Sequence, residues 1–197
     1  MTIAETDARS DRPDRASGSD VVLIDRIAAR DARALETLYR DYYPRLHRFL
    51  GRVTQRTQVV DEVVNDTMLV VWRKAPGFDL RSKVSTWIFG IALRRAFKAL
   101  KRVDEPVDFE ADEQPDSGSE SPEGALFRRE QKDMLARALR KLTPEHRAVI
   151  ELTYFLGYSC AEIAQIMDCP VNTVKTRMFH ARRRLRMELP DDLGFDE

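Results

Sequence analysis

Near the carboxyl end, Asn172, Thr173, Lys175, Thr176, Arg177, His180, Arg182, Arg183, Arg184 and Arg186 follow one another at helical spacing. Their chemistry is recognition. Asn, Thr and Arg at the front of a helix can reach base edges in a major groove, while the later arginines suit phosphates. Just upstream, Ser159 and Glu162 have the spacing of a capping box, in which each side chain satisfies a backbone N–H at a helix start. Asp168, Cys169 and Pro170 then interrupt the helix, and Val174, Met178, Ala181 and Leu185 form a buried stripe on the next one. Helix, turn and basic helix together predict a helix-turn-helix. A merely solvated basic helix fits the charges alone but leaves the cap, the turn and the stripe without a role.

Two further sets of residues carry chemistry. Asp61, Glu62, Asn65 and Asp66 gather on one face of a predicted helix, beside Leu69 and Val70. An acidic, partly apolar face in a strongly basic segment does not suit DNA. It suits a protein partner with basic residues, against the plainer reading of a solvated face. Farther on, the loop Phe78 to Val84 brings Phe78, Arg81, Ser82 and Lys83, and the following helix mixes Trp87, Phe89 and Phe97 with Arg94, Arg95, Lys98, Lys101 and Arg102. Rings on which bases stack, interleaved with cations for phosphates, suit single-stranded nucleic acid. Ordinary core packing is the competing reading for Trp87, Ile88, Ile91 and Ala92.

Catalytic chemistry finds little support. His47, His146 and His180 are scattered, and Cys160 and Cys169 lack the count and spacing of a zinc site or a disulfide framework. Both cysteines read as small packing residues. There is no glycine-rich phosphate loop and no nucleophile elbow, so neither a metal nor another cofactor is expected. No run reaches membrane-spanning length and the first residues lack the apolar core of a signal peptide, so a cytoplasmic protein without membrane insertion is expected.

These side chains need helices to hold them. The periodicity predicts an all-α chain: a helix from Asp20; core positions Leu35, Leu38, Tyr39 and Tyr42, then Leu46, Phe49, Leu50 and Val53 after Pro44; a helix over Thr57 to Lys74 with Val60, Val63, Val64, Met68, Val71 and Trp72 inward; and a helix over Ser85 to Arg102. Leu126, Phe127, Met134, Leu135, Ala138, Leu139 and Leu142 begin a second set. Thr143 and Pro144 start the next helix, which packs Val149, Ile150, Leu152 and Phe155 and ends at Gly157.

Charge divides the same chain. Lys and Arg balance Asp and Glu overall, 33 to 33, but net charge runs −1 over residues 1–30, +8 over 31–102, −9 over 103–125, +6 over 126–189 and −4 over 190–197. Two basic modules, 20–102 and 126–189, are therefore expected on either side of an acidic linker, with a disordered segment at 1–19 and an acidic tail at 190–197. Fully extended, the linker spans at most about 80 Å, at roughly 3.5 Å per residue.

The ordered set of motifs resembles the bacterial sigma factors of the extracytoplasmic-function type, which have only sigma-2 and sigma-4 domains. VVDEVVNDTMLVVW is similar to the segment that holds the β′ clamp helices of RNA polymerase, STWIFGIALRRAFK to the promoter-melting segment, and LTPEHRAVIELTYFLGYSCAEIAQIMDCPVNTVKTRMFHARRRL to sigma-4. Asn65-Asp66 stands where the family commonly has Gln-Glu, Arg94 where it often has Asn, and Asn172 where Gly is frequent.

The resemblance implies a non-enzymatic initiation factor that binds core RNA polymerase through its β′ clamp helices and β subunit. Asp61, Glu62, Asn65, Asp66 and Leu69 would dock on polymerase. Phe78, Arg81, Ser82, Lys83, Trp87, Arg94, Arg95 and Lys98 would take the melted −10 element of promoter DNA. Asn172, Thr173, Lys175, Thr176, Arg177, His180, Arg183 and Arg184 would hold the −35 element. It also implies an anti-sigma factor. On residues alone, a free-standing helix-turn-helix regulator and a polymerase-binding adaptor that does not melt DNA stay open.

Overall fold

The computed structural model describes residues 17–102 and 133–189. The terminal segments and the acidic linker expected at 103–125 lie outside the described residues. Among those described there is no strand, and eight α-helices carry the fold: α1 (Ser17–Ala28), α2 (Ala32–Thr54), α3 (Thr57–Lys74), α4 (Val84–Leu100), α5 (133–140), α6 (Pro144–Ile150), α7 (Cys160–Met167) and α8 (Val171–Glu188).

Local chemistry explains the boundaries. Asp31 caps α2, its carboxylate accepting from the backbone N–H of Arg33 at 2.9 Å and of Ala34 at 3.3 Å. Pro44 sits on the exposed side of α2 and does not break it, so the stripe before and after it belongs to one helix. A 3₁₀ turn, Ala75–Gly77, ends α3. Thr143 caps α6, with Pro144 in the first turn, where its missing N–H costs nothing.

Tyr42, Leu46, Phe49 and Leu50 of α2 pack with Val60, Val64 and Val71 of α3 and Ile88, Phe89 and Leu93 of α4. α1 closes this first lobe with Ile24 and Ile27, and the Tyr42 hydroxyl donates to the Asp20 carboxylate at 2.6 Å inside it. In the second lobe Val149, Leu152, Ile163, Ile166, Val174, Met178, Ala181 and Leu185 are buried.

Five sequence expectations need correction, among them Trp72, predicted inward on α3 but half-buried. Leu35 and Tyr39 are only half-buried, because they lie at the edge of the inward stripe of α2. Phe155 is 45% exposed. The helix widens into a π turn over Glu151–Phe155, and the extra residue rotates Tyr154 and Phe155 outward before Gly157 reverses the chain at φ +69°. Cys160, read as a packing residue, is exposed at the start of α7, while Cys169 is half-buried and packs against the core.

The two lobes also touch. α7 lies along α4, and the start of the second lobe rests on the end of α2. The Arg147 guanidinium, buried between them, donates through Nε to the Val53 carbonyl at 2.9 Å and through Nη1 to Leu142 at 2.7 Å. Burial pushes its pKa down to about 10, which leaves it charged at neutral pH.

Candidate nucleic-acid and partner interfaces

The helix-turn-helix is built as its local sequence dictates. The Ser159 hydroxyl accepts from the Glu162 N–H at 3.3 Å, and the Glu162 carboxylate accepts from the Ser159 N–H at 2.9 Å and its hydroxyl at 2.8 Å. Partial burial pushes the Glu162 carboxyl up, but these bonds and Lys83 outweigh it and hold the group below the usual range. Asp168 takes the left-handed conformation, φ 51°, that the turn requires, and Pro170 leads into α8.

Val174, Met178, Ala181 and Leu185 anchor α8. That leaves Asn172, Lys175, Thr176, His180, Arg183 and Arg184 exposed, and Thr173 and Arg177 half-buried. The Thr176 hydroxyl donates to the Asn172 carbonyl at 2.9 Å, so it meets a ligand as an acceptor. Arg177 leans back over the turn, with Nη1 3.7 Å from the Cys169 sulfur. Arg184 reaches Glu188 at 3.6 Å, and Arg182 lies over Tyr154, 5.9 Å from its ring centre. His146 of α6 stands beside His180, ring centres 6.4 Å apart. Burial lowers the His146 pKa, and His180 lowers it further.

Residues expected to meet single-stranded DNA fall into three groups. Phe78 and Trp87 stack, ring centres 4.7 Å apart and both half-buried, at the root of a loop that exposes Arg81. Arg81 pairs with Asp79 at 2.8 Å, and Ser82 is half-buried beside it. Trp87, Arg94 and Lys98 share one stripe of α4, seven and four residues apart. The other two residues turn elsewhere: Arg95 to Asp66 of α3 at 3.3 Å, and Lys83 to Glu162 of α7 at 3.1 Å.

On α3, Asp61, Glu62, Asn65 and Leu69 are exposed while Asp66 and Val70 are half-buried. This face has neighbours that the sequence reading missed. Tyr39, Tyr43 and His47 of α2 stack in a ladder, with ring centres 5.5 and 5.4 Å apart. Tyr39 donates to Asn65 Oδ1 at 3.1 Å and Tyr43 to Asp61 Oδ1 at 2.8 Å, while His47 Nε2 stands 3.8 Å from Asp61. The Asp61 hydrogen bond raises the Tyr43 pKa, because that bond needs the proton. Aromatic residues at i, i+4 and i+8 were the available signal.

Among the described residues no group of three or more His, Cys, Asp or Glu could hold a metal ion. No helix there is long and apolar enough to cross a membrane.

Comparison with known proteins reaches both lobes. Residues 38–105 match Sigma-70 region 2, and residues 132–185 match Sigma-70, region 4. The ECF RNA polymerase sigma factor RpoE of Cereibacter sphaeroides is 32% identical over 162 residues, 81% of this chain and 88% of the relative. The ECF RNA polymerase sigma-E factor of Escherichia coli K12 is 29% identical over 177 residues, 85% of this chain and 92% of its own. Among solved structures, CnrH in complex with the cytosolic domain of CnrY superposes with TM-score 0.63 at 25% identity, covering 86% of this chain and 96% of CnrH. The sigma factor RpoE of Bartonella quintana, in complex with the anti-sigma factor NepR, has the same TM-score at 22% identity, covering 80% and 99%, a likeness of fold.

Proposed function

The chain belongs to the ECF RNA polymerase sigma factors, and from that premise we propose that it directs core polymerase to specific promoters in the cytoplasm. In this reading Asp61, Glu62, Asn65, Asp66 and Leu69 dock on the β′ clamp helices, and the second lobe meets the β subunit. α8 holds the −35 element as duplex, with Asn172, Thr173, Lys175, Thr176, Arg177 and His180 toward the bases and Arg183 and Arg184 toward phosphates. The loop and stripe of Phe78, Arg81, Ser82, Lys83, Trp87, Arg94, Arg95 and Lys98 take the opened −10 strand. Unstacking costs a few kcal/mol, which stacking and phosphate contacts offset. Bond-making belongs to the polymerase. Modules 20–102 and 126–189 divide these tasks, and an anti-sigma factor restrains the protein, as NepR binds the Bartonella quintana relative.

One observation carries this reading: the acidic and apolar face of α3 stands exposed, Leu69 at 51%, in a module of net charge +8. A free-standing DNA-binding regulator has no use for such a face. The test is reconstitution of purified protein with core polymerase on promoter fragments from the source genome. Promoter-specific initiation is expected. Tight duplex binding with no initiation and no polymerase association would instead identify a free-standing regulator.

A further inference from the structure

We infer that His146 of α6 joins the surface that reads the −35 element, as a contact to duplex phosphate that it makes in its protonated form. The inference rests on the reading of α8 proposed above, which gives α6 no part in recognition.

The position of the ring follows from the fold. Thr143 caps α6 and accepts from the His146 N–H at 3.3 Å, which fixes the first turn of the helix. The next residue, Arg147, is buried with its guanidinium on the Val53 and Leu142 carbonyls, so α6 cannot rotate. α6 packs along α8, and His146 lies half-buried with its ring centre 6.4 Å from that of the exposed His180. His180 and Arg177, one turn apart on α8, are both assigned to the bases. An imidazole this close to them stands at the edge of the same surface.

Charge decides what it does there. His180 and Arg177 of α8 act on His146, as does Glu145 beside it on α6, the one carboxylate among the three. From the other elements that α6 meets, Arg52 of α2 and Glu151 of the π turn pair with each other at 3.1 Å. Partial burial and the cationic side of α8 outweigh Glu145 and push the His146 pKa below the ordinary histidine value. Without DNA the ring is therefore neutral at neutral pH. A duplex seated on α8 brings one negative charge per about 1.7 Å of its axis, which offsets the neighbouring cations and favours a proton on the ring. Imidazolium donates from both nitrogens, and a donor facing outward suits a phosphate oxygen. Binding thus takes up a proton. The pKa is higher in the complex than in the free chain, so the added affinity is complete below the free-state value and is lost as pH rises through the bound-state value.

The test loads the full chain onto core polymerase and titrates a Cy3-labelled duplex bearing the upstream element of a promoter that this holoenzyme uses. Wild type is compared with His146→Gln, which cannot be charged, and His146→Lys, which always is, between pH 8 and pH 6 and across a range of salt. Wild type and His146→Gln are expected to bind alike at pH 8, and wild type about tenfold more tightly at pH 6, as linkage to one proton permits. At pH 6 the salt slope of wild type is steeper than that of His146→Gln by about 0.9, the mark of one further phosphate contact. His146→Lys binds tightly at both pH values. In the DNA-free chain, imidazole proton NMR should show His146 titrating below the ordinary histidine value and moving up in His180→Gln.

A ratio of wild type to His146→Gln that stays constant with pH in variants of unchanged Tm, or equal salt slopes at pH 6, overturns the contact. So does an ordinary or raised titration of His146 in the free chain, a readout that needs neither DNA nor polymerase. If the holoenzyme binds native and scrambled upstream elements alike, the assignment of α8 fails and the contact falls with it. A constant ratio on a duplex that α8 does select overturns the contact alone.

Discussion

Asp66→Arg isolates the polymerase-docking face from the stability of the fold. Asp66 and Arg95 meet at 3.3 Å with side chains 44% and 38% exposed. A surface pair of this kind contributes about 0–1 kcal/mol, and an arginine at 66 faces Arg95 as a like charge, so the cost to the fold is at most about 2 kcal/mol. For a chain of this size that lowers Tm by no more than roughly 4–8 °C. Docking should suffer more. Two unit charges at about 4 Å interact by ~1 kcal/mol in water and ~4 kcal/mol near a protein surface. Reversal replaces attraction with repulsion, so against one basic partner the change is about 2 kcal/mol or more, at least roughly 30-fold in affinity. The assay is equilibrium titration of labelled core polymerase at two ionic strengths, with thermal unfolding of the same samples. The loss should shrink at high salt, where exposed charges are screened. An affinity within threefold of wild type, from a protein whose Tm has moved by only a few degrees, would refute the docking assignment.

Tyr43→Phe removes the hydroxyl that donates to Asp61 at 2.8 Å, so polymerase affinity should fall about 3- to 10-fold with little change in Tm, measured in the same titration. Asp168→Gly relieves a left-handed residue that is exposed and caps α7; stability should rise by about 0.5–1 kcal/mol, read by denaturant unfolding. Burial raises the Glu151 pKa above the ordinary glutamate range, against the pull of Arg52. Its favourable contribution is then complete below the unfolded-state pKa, near 4.5, and is lost as pH rises through the raised value. Glu151→Gln should therefore melt above wild type at neutral pH, with the gap closing on acidification. A gap that is constant between pH 7 and pH 4.5, measured by calorimetry, would contradict the assignment.

Much of the site can be read from spacing because its determinants are short-range. Ser159 and Glu162 are three residues apart, Asp168 interrupts the helix in place, and the stripe from Val174 to Leu185 repeats with the helical turn. Each is satisfied or violated within a few residues, whatever the rest of the chain does. The same holds for the acidic face of α3. Tyr39 was misread because periodicity alone cannot distinguish the buried stripe of α2 from its edge. Its ring sits at that edge with its hydroxyl on Asn65. Phe155 was misread for a related reason, since one extra residue in a π turn shifts every later side chain by a fraction of a turn.

By itself, then, the sequence determined the helices, their caps, the helix-turn-helix and the segregation of charge, because hydrogen bonds and apolar periodicity within a turn or two encode them. Only the tertiary structure decided which of many arginines meets which glutamate. Arg52 finds Glu151 and Arg147 finds the Val53 carbonyl across 99 and 94 residues of chain. No local pattern selects such partners. They follow from how α6 and the π turn seat on the end of α2 once the helices pack.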